Sequence, residues 1–139
     1  MSKIIYNADS LKIMTLFEKV TRTRLKDYFV DNNDLMTFVI DEAFLGKAIG
    51  KQASNVKKLE QLFKRKIRLL GFSNNLAKFV KNLIYPVKAE IEQQEKIVVI
   101  KANETKSKAM LIGRNQINLK NNLMIIKKYF KNIEQIKVE

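Results

Sequence analysis

Two short segments of this chain combine a glycine, a cation and an amide side chain, which are the components of an anion-binding loop. The segment 49–57 (IGKQASNVK) has a counterpart 63 positions later at 112–120 (IGRNQINLK). Each reads apolar, glycine, basic, amide, and then begins a helical pattern with an asparagine and a lysine in register. The first N–H groups of a helix lack partners within the helix and can bind an anion. The repeat predicts two tandem modules that bind the phosphates of one nucleic-acid strand.

The charge of the chain agrees with such a partner. Its 139 residues include 27 Lys and Arg against 14 Asp and Glu, giving a net charge of +13 and a pI near 9.9. This excess favours a polyanion, either nucleic acid or an acidic membrane surface. Residues 1–71 carry 14 basic and 8 acidic side chains, and residues 72–139 carry 13 and 6. Both halves therefore contribute to the basic surface.

The residue types needed for most catalysis are missing. The chain has no Cys and no His, which excludes thiolate and imidazole chemistry and the usual zinc ligands. The close carboxylate pairs, Asp41 with Glu42 and Glu90 with Glu92, have no such group beside them. We therefore expect a protein that is not an enzyme and has no metal or cofactor. No apolar run approaches the ~18 residues that span a membrane, so we also expect a cytoplasmic protein without a membrane partner.

The elements that must position the two loops follow the same order in both halves. In the first half, hydrophobic spacing predicts a helix through Ile13, Phe17 and Val20, followed by strands at 26–30 and 35–40 around a polar turn. A short helix from Asp41, the loop, a helix from Ser54 and a strand at 67–70 complete it. In the second half, the same reasoning predicts a helix from 73–75 and then two strands, one starting after Pro86 and one at 97–100. These are followed by a helix at 105–111, the second loop, a helix that buries 119, 123, 126 and 130, and a strand at 135–138. The predicted domains are 1–71 and 72–139.

The loop between two helices, beside a three-stranded sheet, resembles the loop with which KH domains clamp nucleotides. A hairpin before the helix pair and a strand after it are similar to the prokaryotic KH order. Two such domains filling a short chain resemble the archaeal NusA-like transcription factors, and the approaches 45–51 and 111–114 resemble that family's loops. This resemblance implies an α/β (α+β) fold of two tandem prokaryotic-type KH-like modules, each a three-stranded sheet packed on helices. It also implies binding of single-stranded RNA, the nascent transcript, alongside RNA polymerase.

Carried over by position, the family's loop corresponds to 50–53 and 113–116. In both, the second glycine of the family pattern is replaced, by Ala53 and by Gln116. A side chain at this position obstructs the RNA strand. Because Ala53 adds only a methyl group and Gln116 adds a full side chain, we expect the first loop to bind RNA better than the second. The predicted RNA-binding residues are Lys47, Ile49, Gly50, Lys51, Gln52, Ala53, Ser54, Lys57 and Lys58 in the first module, and Gly113, Arg114, Asn115, Gln116 and Lys120 in the second.

Other interpretations of these residues stay open. The protein could be a ribosome-associated KH protein, or a KH-derived module whose basic face docks an acidic protein. A single glycine of this kind more often caps an ordinary helix turn, and the cations at 57, 58, 64, 65, 66 and 68 could form a solvated face instead of extending a phosphate path. The aromatic side chains are assigned to packing, because no exposed pair suggests a stacking platform.

Overall fold

The computed structural model describes residues 8–139, which form two units, 8–73 and 74–139. The first unit contains α1 (Ala8–Thr21), β1 (Asp27–Val30), β2 (Met36–Asp41), α2 (Leu45–Ile49), α3 (Ser54–Phe63) and β3 (Ile67–Phe72). The second unit contains α4 (Leu76–Ile84), β4 (Glu90–Gln94), β5 (Ile97–Lys101), α5 (Thr105–Ile112), α6 (Ile117–Tyr129) and β6 (Gln135–Val138). Short 3₁₀ turns occupy Glu42–Phe44, Lys51–Ala53 and Arg114–Gln116.

Both units have the same sheet topology. The first strand pairs antiparallel with the second, and the second pairs parallel with the third, as β1-β2-β3 and as β4-β5-β6. Phe38 at the centre of the first sheet lies between Tyr28 and Leu69. The predicted fold, two modules that each pack a three-stranded sheet on helices in the KH-like order, is confirmed.

Aromatic packing holds the first unit together. The ring of Phe38 stacks on Phe17 with centroids 4.4 Å apart, and it lies 4.9 Å from Tyr28 and 6.0 Å from Phe63. Aligned ring pairs of this kind stabilise a core beyond the area that they bury. Leu62 on α3 lies outside this core and is exposed.

The polar turn between β1 and β2 forms as predicted. One carboxylate oxygen of Asp31 accepts hydrogen bonds from the backbone N–H groups of Asn33 (2.8 Å) and Leu35 (2.9 Å). Aspartate favours turns because its short side chain can satisfy nearby backbone donors in this way. This turn sets the register of the hairpin that leads into the first loop.

In the second unit, two sequence predictions differ from the structure. Tyr85 and Pro86 form a turn, in which the N–H of Val87 donates to the carbonyl of Ile84 (2.9 Å), and β4 begins only at Glu90. Helix α6 buries Ile126 as predicted, but its buried side also includes Ile125 and the polar Asn121.

The strand β3 continues past residue 71. Gly71 pairs with Ile40 and Phe72 with Asp41 in the parallel ladder. The units divide between Ser73 and Asn74.

Candidate nucleic-acid interface

The glycine that opens each loop has a backbone conformation that other residues avoid. Gly50 has φ 81° and ψ 165°, and Gly113 has φ 74° and ψ 170°. This region is essentially restricted to glycine. Space is also limited, since a Cβ on Gly50 would lie 2.7 Å from the Ser54 hydroxyl and one on Gly113 would lie 2.8 Å from the Asn118 side chain. Both glycines are required by the path of the loop.

The next residues of the two loops also follow the same path. Gln52 (φ 54°, ψ 35°) and Asn115 (φ 55°, ψ 29°) are left-handed, and so are Ala53 (φ 59°, ψ 29°) and Gln116 (φ 64°, ψ 23°). The family's second glycine falls on the last of these positions, which explains why glycine suits it. A side chain in this conformation costs about 1–2 kcal/mol. The replacements by Ala53 and Gln116 thus retain the loop conformation at some expense in stability.

Backbone N–H groups at the tip of each loop are left for an external acceptor. Within residues 8–139, no acceptor is present for the N–H groups of Lys51 and Gln52, nor for those of Arg114 and Asn115. In each pair φ changes from negative to positive between the two residues. Successive N–H groups around such a change form a concave nest that binds anions. Each loop therefore presents an anion site made of backbone.

An asparagine supports each loop from behind. The side-chain amide of Asn55 donates to the carbonyl of Lys47 (3.3 Å), and that of Asn118 donates to the carbonyl of Met110 (2.8 Å). Each bond ties the first turn of the following helix to the last turn of the preceding one. The two repeated segments have an asparagine at the same position, but the sequence analysis predicted no role for it. They are positioning residues.

The predicted side chains are accessible. All the residues predicted to bind RNA are exposed or half-buried, and Ile49 and Gly50 are among the half-buried ones. The exposed cations near the loops form no ion pair with residues 8–139: Lys47, Lys51, Lys57, Lys58, Arg114 and Lys120. Their charge remains available to a polyanion.

Two of the cations for which a solvated face and a phosphate path were both left open are engaged within the first unit. The Arg68 guanidinium donates to the carboxylate of Asp31 (2.8 Å) and to the hydroxyl of Thr37 (3.1 Å). Burial lowers the pKa of Arg68, and the charge of Asp31 opposes that shift. Arg65 donates to the carbonyl of Asp34 (2.6 Å) and lies 3.4 Å from its carboxylate. Both arginines therefore hold the hairpin turn.

The surroundings of the two loops differ although their backbones match. Lys47 and Ser54 flank the first loop, and the corresponding positions of the second loop hold Met110 and Ile117. These apolar side chains are 50% and 49% exposed. The second loop therefore lacks the cation and the hydroxyl that flank the first.

Residues 8–139 contain no group of three or more acidic side chains placed to hold a metal ion. Across the same residues, every helix is too short or too polar to cross a membrane.

The relatives found by comparison with curated proteins share one name. No family model matches the chain. It is 30% identical, over 143 aligned positions, to the probable transcription termination protein NusA of Methanocaldococcus jannaschii, covering 99% of this chain and 76% of that protein. Proteins of the same name from Methanococcus vannielii (35% over 88 positions; 63% and 50% covered) and Thermoplasma acidophilum (23% over 146 positions; 100% and 98% covered) also match. The crystal structure of APE1850 superposes with a TM-score of 0.73 at 26% identity, covering 96% of this chain and all of that one.

The fold and the paired loops define a protein of two tandem KH-like modules. With relatives matching across nearly its whole length, the chain belongs to the archaeal NusA-like family. The family predicted from the sequence is confirmed.

Proposed function

We propose that this protein binds single-stranded RNA through its two loops and holds the nascent transcript during transcription elongation or termination. The observation that carries the proposal is the repeated loop backbone, with two unpaired N–H groups at each tip and exposed cations beside them. A chain with this excess of positive charge attracts nucleic acid, and the anions that nucleic acid offers are its backbone phosphates.

In the first module, the nest at Lys51 and Gln52 receives a phosphate, and the Lys51 ammonium adds charge to the same site. Lys57 and Lys58 on α3 attract neighbouring phosphates over a longer range. Ile49 is half-buried and is placed to contact a base on one side and the core on the other. The backbone contacts hold the strand without reading its sequence.

In the second module, Arg114, Asn115 and Lys120 perform the corresponding roles. Met110 and Ile117 replace the lysine and serine that flank the first loop, so fewer phosphates are neutralised there. We expect the first loop to supply the larger share of the affinity.

The names of the relatives and the composition of the loop sites support the proposed biological role. Relatives in three archaea are named probable transcription termination proteins. A site made of backbone amides and lysines supplies binding and no bond-breaking group. The protein therefore acts by holding RNA for another machine, and RNA polymerase is the partner that the family name indicates.

RNA binding is tested with a labelled, unstructured RNA titrated at several salt concentrations. If about four phosphates are neutralised, the log–log salt slope is about −3, at ~0.7 per phosphate of a single strand. The double variant Lys51→Glu, Gln52→Glu should lose most of the affinity, and Arg114→Glu, Asn115→Glu should lose less.

A matched control changes net charge by the same amount elsewhere. Gln94→Glu, Lys96→Glu lies around the turn between β4 and β5, where both side chains are exposed. This variant should bind nearly as well as the wild type at the same salt concentration. The proposal is wrong if the wild-type protein does not bind the single-stranded RNA at low salt, or if it prefers duplex RNA.

The transcription role is tested separately in a reconstituted reaction with the polymerase of the same organism. Purified protein should change pausing or terminator read-through, and the Lys51→Glu, Gln52→Glu variant should not. Sedimentation with ribosomal subunits, with transcription unchanged, would reject the transcription role and leave RNA binding intact.

A further inference from the structure

Among the aromatic side chains of residues 8–73, Phe44 is the exposed one. Phe17 and Phe38 are fully buried, and Tyr28 is nearly so. The half-buried Phe72 carries the Lys26 ammonium over its ring, 4.2 Å from the centroid. Phe44 is 56% exposed and makes no ring contact with residues 8–139. An exposed aromatic ring offers a flat apolar face on which a nucleic-acid base can stack.

The place of Phe44 in the chain connects it to the first loop. It ends the 3₁₀ turn Glu42–Phe44 and stands immediately before α2, which runs directly into Gly50. Lys47 follows Phe44 by three residues, which places it on an adjacent face about 4.5 Å further along the helix axis. The exposed ring therefore stands before a short helix that carries Lys47 and leads to the Gly50 loop.

Asp41, one of the two acidic residues before Phe44, interacts with its own turn. Asp41 uses a carboxylate oxygen to accept the N–H of Ala43 (2.9 Å), which caps the turn. Lys47 and Lys51 have no ion-pair partner within residues 8–139. A polyanion with flat apolar faces fits this combination better than an uncharged apolar segment does.

We propose that Phe44 stacks on a base of the RNA strand whose phosphates the Gly50 loop holds. The inference rests on the proposed function and adds a contact to the bases beside the contact to the backbone. Base–aromatic stacking tolerates any sequence because every base has a π face. It requires an unpaired base, so it makes the first module selective for single strands over duplex.

The second module has no equivalent ring. The position 63 residues after Phe44 is Ser107. Stacking is therefore confined to the first module, and it reinforces the difference in affinity between the two loops.

The experiment measures binding of the full chain to two probes, an oligouridine and an oligomer of the same length and charge with abasic ribose. Stacking is worth about 1–3 kcal/mol per base, so Phe44→Ala should weaken oligouridine binding by about 5- to 150-fold. Binding of the abasic oligomer should change little, and Phe44→Tyr should restore the affinity for oligouridine.

The control variant is Leu62→Ala, which truncates another exposed apolar side chain of the same unit, 48% exposed on α3. It should leave both affinities unchanged. Because the chain has no Trp, Phe44→Trp also provides a single fluorescent reporter, which oligouridine should quench and the abasic oligomer should not.

The outcomes separate the inference from the proposed function. If Phe44→Ala binds oligouridine like the wild type, while Lys51→Glu, Gln52→Glu does not bind, stacking is rejected and RNA binding stands. If Phe44→Ala instead lowers only the association with RNA polymerase, Phe44 is a protein contact and the inference is wrong. If the wild type binds neither probe, both proposals fail.

Discussion

Adding one methyl group to Gly50 or to Gly46 should change the stability of the protein in opposite directions. The Gly50 backbone (φ 81°, ψ 165°) lies in a region where a side chain costs about 1–3 kcal/mol. The added Cβ would lie 2.7 Å from the Ser54 hydroxyl and 3.0 Å from the backbone nitrogen of Asn55, which cannot move aside without shifting α3. Gly46 lies within α2, and a Cβ there meets nothing within 4 Å. Alanine in a helix is favoured over glycine by about 0.5–1 kcal/mol.

Gly50→Ala should therefore reduce the free energy of unfolding by at least about 1–3 kcal/mol, and Gly46→Ala should raise it slightly. The two variants, which carry the same chemical change four residues apart, should differ by about 2–4 kcal/mol. Urea unfolding followed by circular dichroism measures the difference as a shift in midpoint at constant slope. RNA binding should fall in Gly50→Ala alone, because the nest depends on the loop path.

Equal stability of the two variants would refute this reasoning. It would mean that the loop can adopt an ordinary conformation at Gly50 without loss. A Gly50→Ala variant could instead unfold at a lower urea concentration and still bind RNA normally. That result would show that the glycine is needed for the fold and that the loop is not the phosphate site.

Three further predictions concern side chains around the loops and the hairpin, and urea unfolding measures each. Ala53→Gly and Gln116→Gly should each stabilise the protein by about 0.5–1 kcal/mol, because relief of left-handed strain exceeds the added entropy of the unfolded chain; destabilisation by both would contradict the strain. Asp31→Asn should destabilise by about 3–5 kcal/mol, because it leaves the half-buried Arg68 guanidinium without its charged partner, and a change near zero would show that the pair is dispensable. Asn118→Ala should cost about 1 kcal/mol and Asn55→Ala less, since the bond of Asn118 is 2.8 Å long and that of Asn55 is 3.3 Å; the reverse order would mean that these bonds do not hold the loops.

The repeat, the order of elements and the place of both loops could be predicted from the sequence. Hydrophobic spacing, turn residues and the glycine–cation–amide pattern are local properties, and each is set by neighbours along the chain. That is why β6 was predicted at 135–138 and α3 from Ser54, where the structure has them. The net charge of +13 indicated a polyanionic partner without any knowledge of the fold.

Which side chains remain available at the surface was decided only by the tertiary structure. Arg68 was indistinguishable from its neighbouring lysines in the sequence, but its carboxylate partner Asp31 lies 37 residues away. Phe44 was grouped with the core aromatics, yet it is exposed at the end of the turn that precedes α2. Ion pairing and burial depend on residues that are distant along the chain and are brought together only by β-sheet pairing and helix packing.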